Sequence, residues 1–344
     1  MTKKEIERAF IKYVKEYQDL NGVIPHVFDQ PPTALEFLQK CVHPNRPALI
    51  KGAFDHWPAN ELWTDEYLRM KMKDQKITVA VTPNGQADAV TYDPKTDQEY
   101  FVMPHEEQMT FDSFLTHLGS SSQQQKEQGT PSSSSSPAYY ISLQNGSLPL
   151  EYSDLEDDID PDIAWCSEAL GCQPDAVNFW FGDARSVTSL HKDPYENCYA
   201  VLRGEKTFIL FPPSEYMCLH ESTYPSAIYT PSKAGFDLTP SPGIQVPWIP
   251  VDPLRPDFAR YPRFKYAKPM VITVRQGEML YLPSLWFHHV SQAGENGVIA
   301  VNYWYDMNYQ HAMFPSMGLT RRLVSEIIDG QPTLDMASDD DDDQ

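Results

Sequence analysis

Long apolar runs are absent from this chain of 344 residues, which starts Met-Thr-Lys-Lys and continues into an amphipathic stretch. A membrane-spanning helix needs about 20 consecutive apolar residues, and a signal peptide needs an apolar core behind its basic start. Neither pattern occurs in the sequence. We therefore expect a soluble protein that is cytoplasmic, with the nucleus as a second compartment.

Cysteine is scarce, and its five copies are scattered without a Cys-x-x-Cys pair: Cys41, Cys166, Cys172, Cys198 and Cys218. Disulfide frameworks use even numbers of cysteines, and structural zinc sites use closely spaced pairs. The sequence therefore predicts neither kind of site, and it favours a reducing compartment.

Positive charge is in short supply, because 27 Lys and Arg residues stand against 48 Asp and Glu residues, for a formal net charge of -21. Such a chain repels the phosphates of nucleic acids and of anionic membranes. We expect neither as a partner, whereas a basic protein segment fits the charge. The charge also has a simpler interpretation, which is a contribution to solubility alone.

The composition otherwise suits a packed core, since 41% of the residues are hydrophobic and 12% are aromatic. The 30 prolines favour short strands joined by turns. Residues 1–138 are predicted to form a helical and β region with a disordered Ser- and Gln-rich loop at 119–137. Short β-rich runs fill 139–310, residues 311–337 are helical, and 338–344 form an acidic disordered tail. This pattern predicts a mainly β fold with flanking helices, a sandwich or jelly roll.

Local signals place the first elements of the chain. Apolar residues recur at helical spacing over 4–20. Thr33 has the character of an N-cap for a second helix, which ends before His43. Short strands are predicted at 47–52 and 77–81.

The segment Ser189-Leu-His191-Lys-Asp193 places an imidazole and a carboxylate two residues apart. In a strand these two side chains point to one face, and Lys192 points away. With a histidine from a distant strand they would form the 2-His-1-carboxylate arrangement, which binds non-haem iron and leaves three positions open. The pair alone is common, and a satisfied polar strand is the simpler explanation for it.

A candidate third ligand lies in the segment from Met279 to Val290, where an apolar strand and a Pro turn lead to the adjacent His288 and His289. An unpartnered imidazole among buried apolar side chains is costly, and a metal ion is one partner that removes the cost. Adjacent strand residues face opposite ways, so one of the two can join the pair. Both flanking faces are apolar, and alternation leaves the choice open.

A buried cation is predicted at Lys206, which starts a returning strand after the turn at Gly204. Lysine rarely enters an apolar strand of a core without an anion as its partner. The position therefore indicates a site for an anionic group, such as one carboxylate of a dicarboxylic ligand. The alternative is a strand-end ammonium group that still reaches solvent.

Over roughly residues 25–330 the chain resembles the Jumonji-C (JmjC) family of cupin-like oxygenases. The segments that carry the resemblance are Asn45-Arg-Pro, Trp57-Pro, Val79-Ala-Val-Thr-Pro-Asn-Gly-Gln-Ala-Asp-Ala-Val, Trp165-Cys-Ser-Glu-Ala-Leu-Gly, Asp175-Ala-Val-Asn-Phe-Trp, Val187-Thr-Ser-Leu-His-Lys-Asp, Val246-Pro-Trp-Ile-Pro and Ala300-Val-Asn-Tyr-Trp-Tyr-Asp-Met. The fold that this resemblance implies is a double-stranded β-helix, the jelly roll of the cupins.

The resemblance also implies roles for individual residues. It makes His191, Asp193 and His288 the iron ligands, and Lys206 the partner of the distal carboxylate of 2-oxoglutarate. It places five further side chains at the cosubstrate, namely Tyr140, Thr188, Asn197, Asn302 and Trp304. Tyr140 and Trp304 also fit as ordinary core aromatics, and Thr188 and Asn302 as partners of nearby backbone groups.

The activity implied is that of a dioxygenase that uses Fe(II), 2-oxoglutarate and O2 to hydroxylate a protein side chain. The match is closer to a member described as a lysyl hydroxylase, which implies oxidation of lysine at C3 in a basic segment such as those of developmentally regulated GTP-binding proteins. Methyl-lysine demethylation, histone-tail peptidase activity and a non-enzymatic cupin that only binds a partner stay open as alternatives. A homodimer is compatible with the C-terminal helix, which is free to pack on the β fold or on a second subunit.

Overall fold

The computed structural model describes residues 2–128, 136–233 and 235–332, without the side chains of 120–128. The strands are, in chain order, β1 (His26–Phe28), β2 (Ala48–Lys51), β3 (Lys76–Thr82), β4 (Gln86–Ala87), β5 (Ala89–Asp93), β6 (Gln98–Met103), β7 (His105–Thr110), β8 (Ala138–Ile141), β9 (Ala176–Gly182), β10 (Val187–His191), β11 (Tyr195–Arg203), β12 (Glu205–Phe211), β13 (Ser222–Ser232), β14 (Gly235–Trp248), β15 (Met270–Arg275), β16 (Glu278–Leu282), β17 (Phe287–Ala293) and β18 (Val298–Asp306).

Helices flank these strands on both sides. The α-helices are α1 (Lys3–Asn21), α2 (Ala34–Phe37), α3 (Ala59–Leu62), α4 (Asp65–Met72), α5 (Phe111–Gln128), α6 (Ser147–Glu151), α7 (Ala164–Leu170) and α8 (Met313–Arg322). Short 3-10 turns cover Ser153–Asp158, Pro213–Cys218 and Pro262–Tyr266, and π-helical turns cover Leu38–Val42 and Leu323–Asp329. None of the described helices has both the length and the apolar character that a bilayer crossing requires.

The strands form three sheets. The nine-stranded sheet has the order β1-β2-β16-β11-β18-β9-β8-β3-β7, the five-stranded sheet β15-β12-β17-β10-β4, and the four-stranded sheet β14-β13-β6-β5. Tyr199 and Leu280 from the nine-stranded sheet pack with Phe208 and Val290 from the five-stranded sheet in one buried cluster. The two larger sheets therefore face each other, which confirms the predicted jelly roll.

Each large sheet is covered on its outer face by helices. Phe37 of α2 and Cys166 of α7 join Phe179 of β9 in the largest apolar cluster, outside the nine-stranded sheet. Val14 of α1 and Met317 of α8 join the cluster outside the five-stranded sheet. The C-terminal helix thus packs on the barrel of its own chain.

The local predictions near the N-terminus agree with the structure. Helix α1 spans Lys3–Asn21, and strands β2 and β3 lie at the predicted places. Thr33 caps α2 in a capping box, because its Oγ1 accepts from the Glu36 N–H at 3.3 Å and its own N–H donates to the Glu36 carboxylate at 3.2 Å.

The Ser- and Gln-rich segment differs from its prediction at one end. The sequence predicts a loop over 119–137, but α5 continues to Gln128, so the start of this segment is helical. Glutamine is a good helix former, and a preceding helical turn needs no new nucleation to extend. Residues 129–135 and the acidic tail at 338–344 lie outside the described residues, and their disorder stays a prediction, as do the domain boundaries.

Candidate active site

Three potential metal ligands meet at one end of the barrel. Suitable ligand atoms of His191, Asp193 and His288 all lie within 4.8 Å of one another. The Oδ2 atom of Asp193 is 3.6 Å from Nε2 of His191 and 3.5 Å from Nε2 of His288. No other group of this kind, with three or more His, Cys, Asp or Glu ligand atoms, occurs in the described residues.

Strand pairing explains why the two histidines meet. β10 and β17 are antiparallel, with His191 opposite His288, and directly opposed residues project to the same face. The register shifts between Thr188 and His191, which marks a bulge beside the cluster. The prediction that His191 and Asp193 lie on one strand is wrong for Asp193. Strand β10 ends at His191, and the Asp193 carboxylate comes from the connection to β11.

Hydrogen bonds hold the two segments that carry the ligands. The Leu285 N–H donates to the backbone oxygen of Asp193 at 2.9 Å, and Leu285 adopts a φ of 65°, which is uncommon for a branched residue. The indole N–H of Trp286 donates to Oδ1 of Asn45 at 2.7 Å. The turn before β17 is therefore tied both to the Asp193 segment and to the N-terminal region, which restricts how far His288 can move.

The ring of each histidine is oriented by a hydrogen bond between its Nδ1 atom and a backbone oxygen. Nδ1 of His191 lies 2.8 Å from the backbone oxygen of Ser189, and Nδ1 of His288 lies 3.0 Å from that of Trp286. A carbonyl oxygen only accepts, so each Nδ1 carries the proton and each Nε2 presents its lone pair to the cluster. This is the arrangement in which imidazoles bind metal ions.

The electrostatics of the cluster suit a cation. Burial would raise the pKa of Asp193, but His191 and His288 outweigh burial and hold this pKa well below its usual range. Burial lowers the pKa of His288, and the neighbouring His191 lowers it further. Burial would lower the pKa of His191 as well, but Asp193 outweighs burial and raises it. A metal requires an ionised carboxylate and neutral imidazoles, so its binding would displace any proton that His191 holds on Nε2.

The adjacent histidine and lysine face the other way. His289 lies opposite Ile209 of β12, which belongs to the cluster outside the five-stranded sheet. Its Nδ1 has no hydrogen-bond partner among the described residues. Lys192 also points outward, as predicted, and its Nζ lies 5.9 Å from the centre of the Phe287 ring.

Lys206 lies inside the barrel with only 1% of its surface exposed. Its Nζ donates to Oε1 of Gln292 at 2.6 Å and to the Tyr140 hydroxyl at 3.1 Å. No carboxylate in the described part of the chain lies within ion-pair distance of it, and burial lowers its pKa to about 7. The alternative of a solvent-exposed strand-end ammonium is therefore wrong.

The remaining predicted residues share the barrel interior. The Asn302 amide donates to Oδ1 of Asn197 at 3.0 Å, and Trp304 is opposite Asn197 and therefore on the same face. The Trp304 indole N–H is buried without a partner among the described residues. Thr188 is opposite Val290, and with Tyr140 it lines a small cavity.

Two residues of the site, Gln292 and Gly182, were not identified by the sequence analysis. Gln292 holds Lys206, and its own amide donates to the backbone oxygen of Asp183 at 2.7 Å. It is four residues after His288 on one strand, so alternation would have indicated the shared face. Gly182 was also missed, although a Cβ there would lie 2.5 Å from Cδ2 of Tyr140. No pattern in the sequence points to that close approach.

The arrangement as a whole can bind a divalent metal and a dicarboxylate together. The donor set of two imidazoles and one carboxylate fits iron and leaves open coordination positions. Among the residues that the structure describes, the buried ammonium of Lys206 has only neutral acceptors, Gln292 and Tyr140, so an incoming carboxylate would supply the missing counter-charge.

Comparisons with known proteins agree with this geometry. The sequence profile of the family described as "Cupin-like domain" matches residues 34–311. The human protein named bifunctional peptidase and (3S)-lysyl hydroxylase JMJD7 is 44% identical to this chain over 288 residues, which are 83% of this chain and 85% of the human protein.

Two further relatives span nearly the whole chain. JmjC domain-containing protein E of Dictyostelium discoideum is 39% identical over 328 residues, covering 89% of this chain and 90% of that protein. The protein named lysine-specific demethylase JMJ32 of Arabidopsis thaliana is 41% identical over 320 residues, covering 89% of this chain and 88% of its own length.

Proposed function

The chain belongs to the cupin-like JmjC family, and on this premise we propose that it is an Fe(II)- and 2-oxoglutarate-dependent dioxygenase that hydroxylates a protein lysine at C3. One observation carries the proposal, which is that the His191, Asp193 and His288 cluster lies in the same barrel as the buried ammonium of Lys206. The human relative is named as a (3S)-lysyl hydroxylase, which supports the choice of reaction.

The protein side chains would divide the work. His191 and His288 would hold the iron through Nε2, and Asp193 through its carboxylate. When bound, Fe(II) with 2-oxoglutarate and O2 supplies the oxidising chemistry, in which one oxygen atom enters a C–H bond and the cosubstrate leaves as succinate and carbon dioxide. The chain contributes placement, charge and the exclusion of water from the barrel.

The cosubstrate would lie along the barrel between the two charged regions. Lys206 is opposite Gln292 on β17, four residues from His288, and all three side chains share the inner face. Four strand residues span about 13 Å, and the long lysine side chain covers part of this distance. Lys206, Tyr140 and Thr188 would bind the distal carboxylate.

The asparagine pair and Trp304 would shape the rest of the pocket. Asn302 is fixed from two sides, because it donates to Asn197 and its Oδ1 accepts from the Trp180 indole at 2.7 Å. Trp304 stacks on Tyr195 at 4.7 Å between ring centroids. We infer that these groups fix the cosubstrate laterally.

The proposed substrate is a lysine in a basic protein segment, such as those of developmentally regulated GTP-binding proteins. A chain with a formal charge of -21 attracts such segments. Cytoplasm, with the nucleus as a second compartment, stays the predicted location, and a homodimer stays a prediction as well.

The test is mass spectrometry of candidate substrate proteins after incubation with enzyme, Fe(II) and 2-oxoglutarate. We expect a lysine-containing peptide heavier by one oxygen atom, with succinate formed in proportion. The Asp193→Ala variant is the control and should give neither product. Absence of iron binding and of 2-oxoglutarate turnover would instead support a non-enzymatic binding protein.

Demethylation is the second candidate, because the relative from Arabidopsis is named as a lysine-specific demethylase. It predicts formaldehyde release from a methyl-lysine peptide in place of a stable hydroxylated product. Peptidase activity, which the human relative's name includes, predicts a cleaved peptide that persists in the Asp193→Ala variant.

A further inference from the structure

The Asp88 carboxylate, which has no partner among the described residues, lies near the proposed iron site. Asp88 follows β4, which pairs in parallel with β10 through Gln86 opposite Val187 and Ala87 opposite Thr188. The backbone oxygen of Asp88 accepts from the Ser189 hydroxyl at 2.5 Å. This bond holds Asp88 beside β10, next to the residue two positions before His191, and Asp88 lines a small cavity together with Thr188 and Tyr140.

In the part of the chain that the structure describes, no lysine or arginine forms an ion pair with Asp88. Its side chain is largely buried and makes no hydrogen bond or ion pair within the described residues. Burial raises its pKa, His191 opposes this, and the nearby Glu106 raises the pKa further. Glu106 is opposite Ala80, which is in turn opposite Tyr140, so Glu106 lies on the same face as Tyr140, and it is exposed.

The proposed complex with iron and 2-oxoglutarate leaves no excess positive charge to balance the Asp88 carboxylate. The charges of the ferrous ion, Asp193, 2-oxoglutarate and Lys206 cancel one another. The Asp88 carboxylate would therefore stay buried without a compensating charge until another cation arrives, and such a state is costly. The only component not yet accounted for is the substrate.

The aromatic side chain of Trp248 lies beside the metal-ligand cluster, near Asp88. The ring of Trp248 lies parallel to that of His191, with 5.7 Å between centroids. Its indole N–H donates to the Ser189 hydroxyl at 2.9 Å, and Phe101 supports it with 4.6 Å between centroids. A fixed indole face suits the methylene chain of a lysine and attracts its charged end.

We propose that Asp88 binds the ε-ammonium group of the substrate lysine. Trp248 would contact the methylene chain of that lysine, and the exposed carboxylate of Glu106 would attract the basic segment that carries it. This inference rests on the proposed function and names the groups that select lysine. The ammonium is four bonds from C3, so its partner must lie within one side-chain length of the iron ligands. The hydrogen bond from the Ser189 hydroxyl to the backbone oxygen of Asp88 holds Asp88 beside the strand that ends at His191.

The experiment compares Asp88→Asn with the matched control Asp97→Asn. Asp88 and Asp97 both adopt a left-handed conformation, with φ of 51° and 55°, which asparagine tolerates as well as aspartate. Asp97 lies in the turn between β5 and β6, where its carboxylate accepts from the Tyr92 hydroxyl at 2.7 Å. Each substitution therefore removes one charge with little change in backbone strain.

The probes are two synthetic peptides of the lysine-containing segment of a developmentally regulated GTP-binding protein, one native and one with norleucine in place of the lysine. Calorimetry measures their Kd values with Mn²⁺ and 2-oxoglutarate under anaerobic conditions, and kcat/KM follows from the aerobic iron enzyme. We expect the wild type and Asp97→Asn to prefer the lysine peptide by at least about 30-fold. In Asp88→Asn this preference should fall to within about threefold.

Three results would overturn the inference. They are an undiminished preference for lysine in Asp88→Asn, equal binding of both peptides by the wild type, and loss of 2-oxoglutarate binding in Asp88→Asn, which would assign Asp88 to the cosubstrate site. Failure of the proposed function looks different, because the wild type would then turn over no candidate protein in the mass spectrometric test.

Discussion

The outer faces of the two large sheets differ from the inner faces, which line the barrel, in how their polar groups are satisfied. On β18, Val301, Tyr303 and Tyr305 point outward into the largest apolar cluster, while Asn302 and Trp304 point into the barrel. Both outward tyrosine hydroxyls of β18 bond to the chain itself, since Tyr303 donates to the Asp160 backbone oxygen at 2.6 Å and Tyr305 accepts from the Ile163 N–H at 3.1 Å. The Trp304 indole inside the barrel has no partner in the described part of the chain.

Two buried charges show the same difference. Glu196, on the outward side of β11, accepts hydrogen bonds from the Tyr281 hydroxyl at 2.6 Å and from the Ser284 hydroxyl at 2.7 Å and N–H at 3.2 Å. Lys206, inside the barrel, has two neutral acceptors and, within the described ranges of the chain, no anionic partner. We infer that the outer face serves stability by itself, whereas the inner face is completed by ligands. Changes on the two faces should therefore separate stability from activity.

The largest effect on activity should come from His288→Ala, and the neighbouring His289→Ala is its matched control. His288→Ala should lower kcat/KM by more than about 100-fold, because changes in residues that merely support metal ligands already cost about 10- to 100-fold. His289→Ala, one residue away on the outward face, should keep iron binding and most of the activity. The iron content and the rate of succinate release are measured for both variants. Equal losses in the two variants would contradict the assignment of faces.

On the outer face, Phe179→Ala should destabilise the fold by about 3–5 kcal/mol, because it opens a cavity in a packed core. Phe179 is fully buried and touches Trp63 and Tyr152, with ring centroids 5.4 and 4.7 Å away. Urea unfolding measures the loss. The affinity of the folded protein for 2-oxoglutarate should stay close to that of the wild type, and a large change in it would show that the faces are coupled.

On the inner face, Lys206→Met should have the opposite pair of effects. It should abolish tight 2-oxoglutarate binding yet raise the stability of the ligand-free protein near neutral pH by about 1–4 kcal/mol, because a buried charge without a counter-ion is removed. Thermal unfolding measures the stability of the ligand-free protein, and calorimetric titration measures its affinity for 2-oxoglutarate. A variant that is less stable than the wild type would contradict this account.

The same substitution gives a pH test. Burial lowers the pKa of Lys206 from 10.5 to about 7 in the folded chain, so between these values the unfolded state binds more protons and stability rises with pH. Below about pH 7 the full cost of the buried charge remains. The stability difference between wild type and Lys206→Met should therefore shrink as pH rises from about 7 to about 10.5. A constant difference would show that the ammonium is not desolvated.

The smallest effect is expected for Tyr303→Phe. This change removes one hydrogen bond on the outer face, from the hydroxyl to the Asp160 backbone oxygen. A loss of about 0.5–1.5 kcal/mol in unfolding free energy is typical for such a bond. Catalysis should be unaffected, although the neighbouring Asn302 and Trp304 lie on the same strand. Reduced turnover at saturating 2-oxoglutarate would argue against the separation of the two faces.

Much of the fold and part of the site were predictable from local patterns. Alternating apolar residues and turns predicted the strands, and the capping residues at Thr33 predicted the start of α2. The His-x-Asp pair and the intrusion of Lys206 into an apolar strand indicated a metal and an anion. These features depend on residues close together in the sequence, where side-chain direction follows from backbone period alone.

The sequence by itself thus determined the jelly roll and the candidates for its chemistry, while the tertiary structure decided which side chains meet. Alternation could not choose between His288 and His289, and only the pairing of β10 with β17 directs His288 toward His191. Asp193 reaches the cluster from beyond its strand, and Asp88 approaches through the pairing of β4 with β10. Register between distant strands is set by the packing of the whole barrel, which no single segment encodes.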